Sequence, residues 1–449
     1  MCLSSHHHET ATISLHVHPI PQVIPRGDMI DTPSTPPSSP RDRPAIPRSI
    51  WALGLVSLFM DMSSELIHSL LPVYMVTVLG ASLLSVGLIE GFAEATALLT
   101  KMFSGVLSDY WGKRKVLTVI GYGMAAVTKP LFPLASSLTT VFLARFLDRV
   151  GKGIRGAPRD ALIGELAPPT LRGTCYGLRQ SLDTVGAFLG PLMAMGLMVL
   201  LANDIRAVMW VAVLPAVLAV VLLIVGVQEP QSTRPAGAPR TVIRLFDFQR
   251  FGPAFWWIVL IGGALTLARF SEAFLVLRAE HVGLSVTLIP MVMVVMSVTY
   301  AGSAYPAGRL ADRMSRRPLL VTGCLVLILA DVILAVASDV VMVMVGVAFW
   351  GIHMGLTQGL LATLIADASP PDLRGSAFGV FSFVSGVSLL GASVLAGFLW
   401  DQFGPSATFL GGAVLTAIAL LGLVVHNPDT LHPIRGLWWP VLSRNKESV

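Results

Sequence analysis

Ionisable side chains recur at helical spacing inside stretches that are otherwise apolar. Asp61, Glu65 and His68 stand at i, i+4 and i+7, within about 60° of one helix face. Glu90, Glu94 and Lys101 fall within about 40° of arc. The densest set is Arg145, Asp148, Arg149, Lys152, Arg155 and Arg159, on about 120° of one face. Arg179 is one turn from Asp183, Arg269 one turn from Glu272, and His353 precedes Gln358. A charge at the centre of a bilayer costs at least about 2.5–3.5 kcal/mol, so a set of this size implies a polar interior path. Two acids one turn apart cannot both ionise cheaply in low dielectric, which makes Asp61/Glu65 and Glu90/Glu94 candidate proton sites. The alternative for each acid is a permanent pair with an Arg or Lys that only holds the bundle together. For His353 the alternative is a buried neutral ring making one hydrogen bond. Acids and bases within the apolar stretches balance, so their total does not give the charge of a ligand. Asp331 has no partner that the sequence suggests.

The elements that must carry these side chains are membrane helices. Of 449 residues 54% are hydrophobic and only 13% charged, and mean hydropathy is +0.73. A soluble fold of that composition would expose too much apolar surface. Apolar runs of twenty or more residues argue helices and not a β-barrel. Twelve spans are expected near 50–75, 84–108, 115–135, 139–163, 174–202, 205–227, 253–279, 285–309, 318–337, 340–366, 375–400 and 406–426. The fold class is all-α, two six-helix bundles at 49–227 and 251–427, joined by a polar linker at 228–250 containing Pro230, Pro235, Gly237 and Pro239.

Residues 1–48 are polar and rich in Pro and Ser, too poor in apolar residues to bury a core, and are expected to be disordered. They lack the apolar core of a signal peptide. His6, His7, His8, His16 and His18 lie there, and flexible histidines without a partner shell bind metal weakly. The tail at 428–449 carries Arg435, Trp438 and Trp439, which suit an interfacial anchor. Lys and Arg cluster in alternate loops, at Lys113, Arg114, Lys115, Arg172, Arg234, Arg240, Arg244, Arg250, Arg313, Arg316, Arg317 and Arg374. The positive-inside rule then places both termini in the cytoplasm, consistent with an even number of spans. Three cysteines without CxxC spacing give no disulfide or metal cage. Met291, Met293, Met296 and Met354 fit packing better than passage of a soft metal.

An internal repeat underlies the two halves. GVLSDYWGKRKVL at 105–117 returns as GRLADRMSRRPLL at 308–320, and LAPPTLRGTCYG at 166–177 returns as ASPPDLRGSAFG at 368–379. Ser64-Glu65 reappears as Ser271-Glu272. Parallel repeats place a ligand site between halves near the midplane.

At these residues the chain resembles the major facilitator superfamily. Its loop 2–3 signature is matched by Gly105, Leu107, Asp109, Gly112, Lys113, Arg114 and Leu117, with Tyr110 where Arg is common. The second copy keeps Gly308, Leu310, Asp312, Arg313, Arg316 and Arg317, with Ser315 where Gly is usual. Arg149, Lys152 and Gly153 resemble the fourth-span signature, with Lys152 in place of Gln. Gly186, Gly190 and Pro191 resemble the fifth-span motif of proton-linked exporters, with Ala194 and Met195 where its last glycines stand. The resemblance implies a central cavity lined by spans one, four, seven and ten. It assigns proton coupling or cavity lining to Asp61, Glu65, Arg145, Arg149, Lys152, Arg155, Arg269, Glu272 and His353. Gating falls to the loop signatures and to Gly186, Gly190 and Pro191, which let helices approach closely and bend one of them.

No GxSxG, HExxH or Walker sequence is present, so an enzyme and an ATP-driven pump are not expected. The expected activity is secondary transport of a small solute by alternating access, proton-coupled and outward. Proton-linked or facilitated uptake of a metabolite or metal chelate is the second reading, and a non-transporting receptor a third. The expected partners are a small-molecule substrate, protons and the lipid bilayer of a bacterial-type inner membrane. No cofactor, no resident metal and no nucleic acid are implied, and the chain is expected to act as a monomer.

Overall fold

The computed structural model describes residues 45–228, 250–311, 316–370 and 373–425. The histidine-bearing N-terminal stretch, the linker at 229–249, Asp312, Arg313 and the tail with Arg435, Trp438 and Trp439 lie outside these residues. Each long apolar run is a helix, because a backbone without water must satisfy its polar groups internally. In chain order the long elements are α1 Arg48–Val78, α2 Leu83–Trp111, α3 Arg114–Leu134, α4 Leu138–Leu166, α5 Arg172–Leu200 and α6 Ile205–Gly226. They continue as α7 Pro253–His281, α8 Val286–Ala311, α9 Arg316–Val336, α10 Val340–Asp367, α11 Arg374–Phe403 and α12 Pro405–Val425. Among the described residues eleven of these are long and apolar enough to cross a membrane. The other is α4, whose charges lower its hydropathy, yet its 29 residues extend about 43 Å and can span.

Local chemistry sets the helix ends. Ser82, Ser137, Asp204 and Asp339 accept backbone N–H bonds at the starts of α2, α4, α6 and α10. Gly112 closes α2 at φ +66°, a left-handed position that glycine adopts without a Cβ clash. Two elements are irregular within their length. α1 is interrupted at Ser69–Leu70, and α7 breaks between Ala268 and Ala273.

Helix pairing repeats with a period of six. In the first half α1 packs on α5 and α6, α4 on α2 and α3, and α3 on α6. In the second half α7 packs on α11 and α12, α10 on α8 and α9, and α9 on α12. Contacts between the sets run through α2–α11 and its counterpart α5–α8. The repeat extends to side chains. Arg114 Nη1 lies 2.7 Å from Glu165 Oε1, and Arg316 pairs with Asp367 in the same way. Lys115 donates to the Ile224 carbonyl at 2.9 Å, and Arg317 to the Val424 carbonyl at 2.6 Å. These cations cap the C-terminal carbonyls of α6 and α12.

With twelve passes, the start of α1 and the end of α12 share one end of the molecule, called proximal below. At the opposite, distal end a single apolar cluster joins both sets of helices, with Leu70, Val73 and Tyr74 beside Phe274, Trp400 and Phe409. Towards the proximal end the core divides. One cluster is built from Ile50, Val56, Tyr122 and Leu223, the other from Phe255, Leu320, Leu364 and Leu423.

Candidate functional site

A cavity of about 290 Å³ lies between the two sets of helices. Glu65 and His68 of α1, Glu94 of α2, and Arg149 and Lys152 of α4 form one wall. Arg269, Phe270 and Glu272 at the break in α7, with Trp350 and Gln358 of α10, form the other. Sequence spacing put these residues on helix faces, and the packing brings six of the expected set to one space: Glu65, Arg149, Lys152, Arg269, Glu272 and, from the secondary set, Glu94. The irregularity matters here. At the α7 break the chain leaves helical geometry, and Arg269 and Glu272 sit on that non-helical segment beside the cavity.

Behind the first wall runs a buried ion network. Glu90, wholly buried, accepts from Arg145 Nε at 3.1 Å and from Arg145 Nη2 at 2.6 Å. His68 joins it, with Nε2 at 2.5 Å from Arg145 Nη2 and 3.3 Å from Glu90 Oε2, and Nδ1 at 3.5 Å from Glu65 Oε2. Arg149 Nη2 lies 3.3 Å from Glu94 Oε1. Lys129 Nζ donates to Asp148 Oδ1 at 2.9 Å and to Ser64 Oγ at 3.0 Å. His68, Glu90 and Glu94 present ligand atoms within 4.8 Å of one another. The Arg145 guanidinium already bonds two of the three and supplies the positive charge, so the arrangement does not suit a metal ion.

Asp61 and Glu65, adjacent in spacing, have different partners. Asp61 faces Arg155, at 3.9 Å from Nη2, and the carboxylate of Asp183, whereas Glu65 turns to His68. One turn along a helix is enough to aim two side chains at different neighbours. Arg155 stacks on the Tyr122 ring at 4.6 Å, and Arg159 donates to Ser57 and Tyr122. Arg179 Nη2 bonds Asp183 Oδ1 at 3.0 Å. His353 turns to α9, where its Nδ1 lies 2.8 Å from the Gly323 carbonyl, and it does not line the central cavity.

The gating residues lie elsewhere. Gly105 is near the proximal end of α2, with Ala157 of α4 its nearest neighbour, and Asp109 is in the last turn of α2, its side chain outside those described. Lys113 stands at the N-terminal boundary of α3 without a side-chain capping bond, and Arg114 links α3 to α4. Gly308 and Arg316 line a second cavity of about 330 Å³ between α8 and α10. Gly186 and Gly190 seat α5 against α1. A Cβ on Gly186 would stand 3.0 Å from Leu58 Cα, and one on Gly190 2.7 Å from the Met62 carbonyl oxygen. Pro191 follows inside α5.

Sequence reasoning passed over Lys129, Glu165, Asp367 and Trp350. Lys129 had a signal, since it lies inside an apolar span before Pro130. Glu165 and Asp367 stand at matching places before the two Pro-Pro motifs.

A profile of the Major Facilitator Superfamily matches residues 53–278 and again 270–438. The chain belongs to the Major Facilitator Superfamily. It is a multi-pass membrane protein of a family of secondary transporters and not an enzyme. Within the superfamily it is 31% identical to the MFS-type transporter MJ1317 of Methanocaldococcus jannaschii over 385 residues, covering 84% of this chain and 94% of that one. It is 26% identical to the inner membrane transport protein YajR of Escherichia coli, covering 83% and 82%. The fold matches the crystal structure of a D-xylose-proton symporter at TM-score 0.70 and 16% identity, over 85% of this chain and 98% of that one.

Proposed function

We propose that this protein exports a small anionic or zwitterionic solute in exchange for protons, by alternating access. The observation that carries the reading is which cavity charges are left uncommitted. Glu94 and Glu65 are occupied by Arg149 and His68, but Lys152, Arg269 and Glu272 make no ion pair among the described residues. Lys152 belongs to the first half and Arg269 to the second. An anionic group between them attracts both halves at once, and an amine on the same solute meets Glu272. Such a ligand binds best when the halves close on it, which is the differential affinity that a conformational cycle requires. The cavity holds about ten waters' share of liquid volume, the size of a small metabolite.

Nothing in the chain burns ATP, so a gradient must drive the cycle, and a proton gains about 2.3 kcal/mol per 100 mV on crossing with the field. Glu65, His68 and Glu90 form a relay from the cavity to Arg145, and Asp61 with Asp183 forms a second acid pair beside Arg155 and Arg159. The proximal end is cytoplasmic in this reading, because Lys113, Lys115, Arg172 and Arg317 gather there. The structure then corresponds to the inward-facing state, sealed distally. Inward transport by the same cycle is the second reading, favoured by Ala194 and Met195 where exporters carry glycine and by the D-xylose-proton symporter of the same fold.

The test is reconstitution in liposomes with an internal pH dye, screening pools of small anions, zwitterions, cations and sugars. Proton flux should begin with an anionic or zwitterionic pool. It should vanish in Lys152→Gln and Arg269→Gln, and in the Asp61→Asn/Glu65→Gln double variant. Solute movement without proton flux would replace coupled transport by facilitated transport. Flux with cations only would overturn the substrate class.

A further inference from the structure

Asp331 of α9 and Trp350 of α10 are both wholly buried, and neither carboxyl oxygen of Asp331 nor the indole Nε1 of Trp350 has a hydrogen-bond partner among the described residues. The internal repeat relates their two positions. The repeat is in constant register from the paired cations Arg114 and Arg316, through the capping residues Ser137 and Asp339, to α4 and α10. In that register Asp331 stands where the first half has Lys129, and Trp350 stands where it has Asp148. Lys129 and Asp148 are bonded at 2.9 Å. The second half thus places a carboxyl and an N–H donor at two positions that face each other across α3–α4 in the first.

The surroundings of Asp331 are apolar. Gly412 of α12 makes room for the carboxyl, since a Cβ there would stand 2.8 Å from Oδ2 and 3.1 Å from Phe270 Cε1 of α7. Phe270 in turn packs on the Trp350 ring at 5.1 Å. Among the described residues no charged group pairs with Asp331. Arg269 and Glu272 of α7 line the central cavity, His353 of α10 faces Gly323, Arg316 and Arg317 lie at the other end of α9, and α12 carries no ionisable residue. An ionised carboxylate in this place would have neither water nor a donor, and would be very costly.

We propose that Asp331 is a proton-binding site of the second half and that Trp350 is its switch. With the proton bound, the carboxyl is neutral and needs no donor from Trp350, which matches the unbonded indole Nε1 of this structure. When the proton leaves, the carboxylate takes the Trp350 N–H as donor, and the ring moves with it. Trp350 lines the central cavity and packs on Phe270 at the α7 break, so loss of the proton reshapes the wall that carries Arg269 and Glu272. This supplies a carrier for the proton that the proposed cycle needs, and it can be tested without a transported solute.

Infrared spectra of the purified full chain in lipid would be titrated with pH for wild type, Asp331→Asn and Trp350→Phe. The expected result is a neutral-carboxyl carbonyl band at neutral pH that is lost in Asp331→Asn. In wild type the band disappears as pH rises, and in Trp350→Phe it persists to higher pH, because the ionised form has lost its donor. A band unchanged by Asp331→Asn, or a titration identical in Trp350→Phe, overturns the proposal. Should Asp331→Asn fail to fold, the comparison of Trp350→Phe with wild type decides alone. A site found here together with solute movement lacking proton flux would reject coupled transport and leave the site standing.

Discussion

Asp401 near the end of α11 reaches across the molecule to the start of α2. Its two carboxylate oxygens accept the backbone N–H groups of Leu83 at 3.0 Å and Leu84 at 2.9 Å. It therefore acts as a helix cap supplied by the other half. Replacing a capping acid with alanine costs about 1 kcal/mol, and loss of the charge at the helix N-terminus adds about 0.3–1 kcal/mol. Because this clamp exists only when the distal end is closed, the whole loss of about 1.5 kcal/mol falls on the closed state. Asp401→Ala should raise the ratio of distal-open to distal-closed molecules by about tenfold. Spin labels at the exposed Val78 and Val341, one on each half at the distal end, report this as a longer component in a pulsed dipolar distance distribution. Ser82→Ala is the control, since Ser82 caps the same helix from within. It should weaken α2 without lengthening the distance. An unchanged distribution in Asp401→Ala, or an equal shift in Ser82→Ala, refutes the clamp.

Other outcomes follow from the same geometry. Glu90→Leu leaves Arg145 buried without its bidentate partner and should cost about 3–5 kcal/mol, lowering the melting temperature, while Glu90→Leu with Arg145→Met should recover most of the loss. Transport should be absent in both, separating stability from relay function. Gly397→Val would place a Cβ 2.7 Å from Leu84 Cα, where overpacking costs about 1–3 kcal/mol and should also favour the distal-open state. Lys129→Met removes the closest cation from the buried Asp148 and leaves it Arg149 Nε at 4.0 Å; it should destabilise by about 3 kcal/mol, read as thermal unfolding in detergent.

The helices and most cavity residues were legible in the sequence because membrane spans write themselves as long apolar runs, and any charge within one stands out. The repeat was legible because two loop motifs return in order. Partner choice was not. Spacing groups Asp61 with Glu65, but the first faces Arg155 of α4 and Asp183 of α5, whereas the second turns along its own helix to His68. Asp331 had no account in the sequence, because its meaning depends on Trp350 and on register with Lys129 and Asp148 across two helix pairs.

By itself, then, the sequence determined the solvent, the helical class, the repeat and the faces on which charge could lie. Composition and period suffice for those, since they are local properties of the chain. The tertiary structure decided which charges neutralise each other and which remain for a ligand. That is a matter of a few ångströms between helices far apart in sequence. It also decided that the halves share one apolar core at the distal end and divide at the proximal end, and that the α7 break carries Arg269 and Glu272 to the cavity. Side-chain contacts across α2–α11 and α5–α8 fix those outcomes, and no local pattern encodes them.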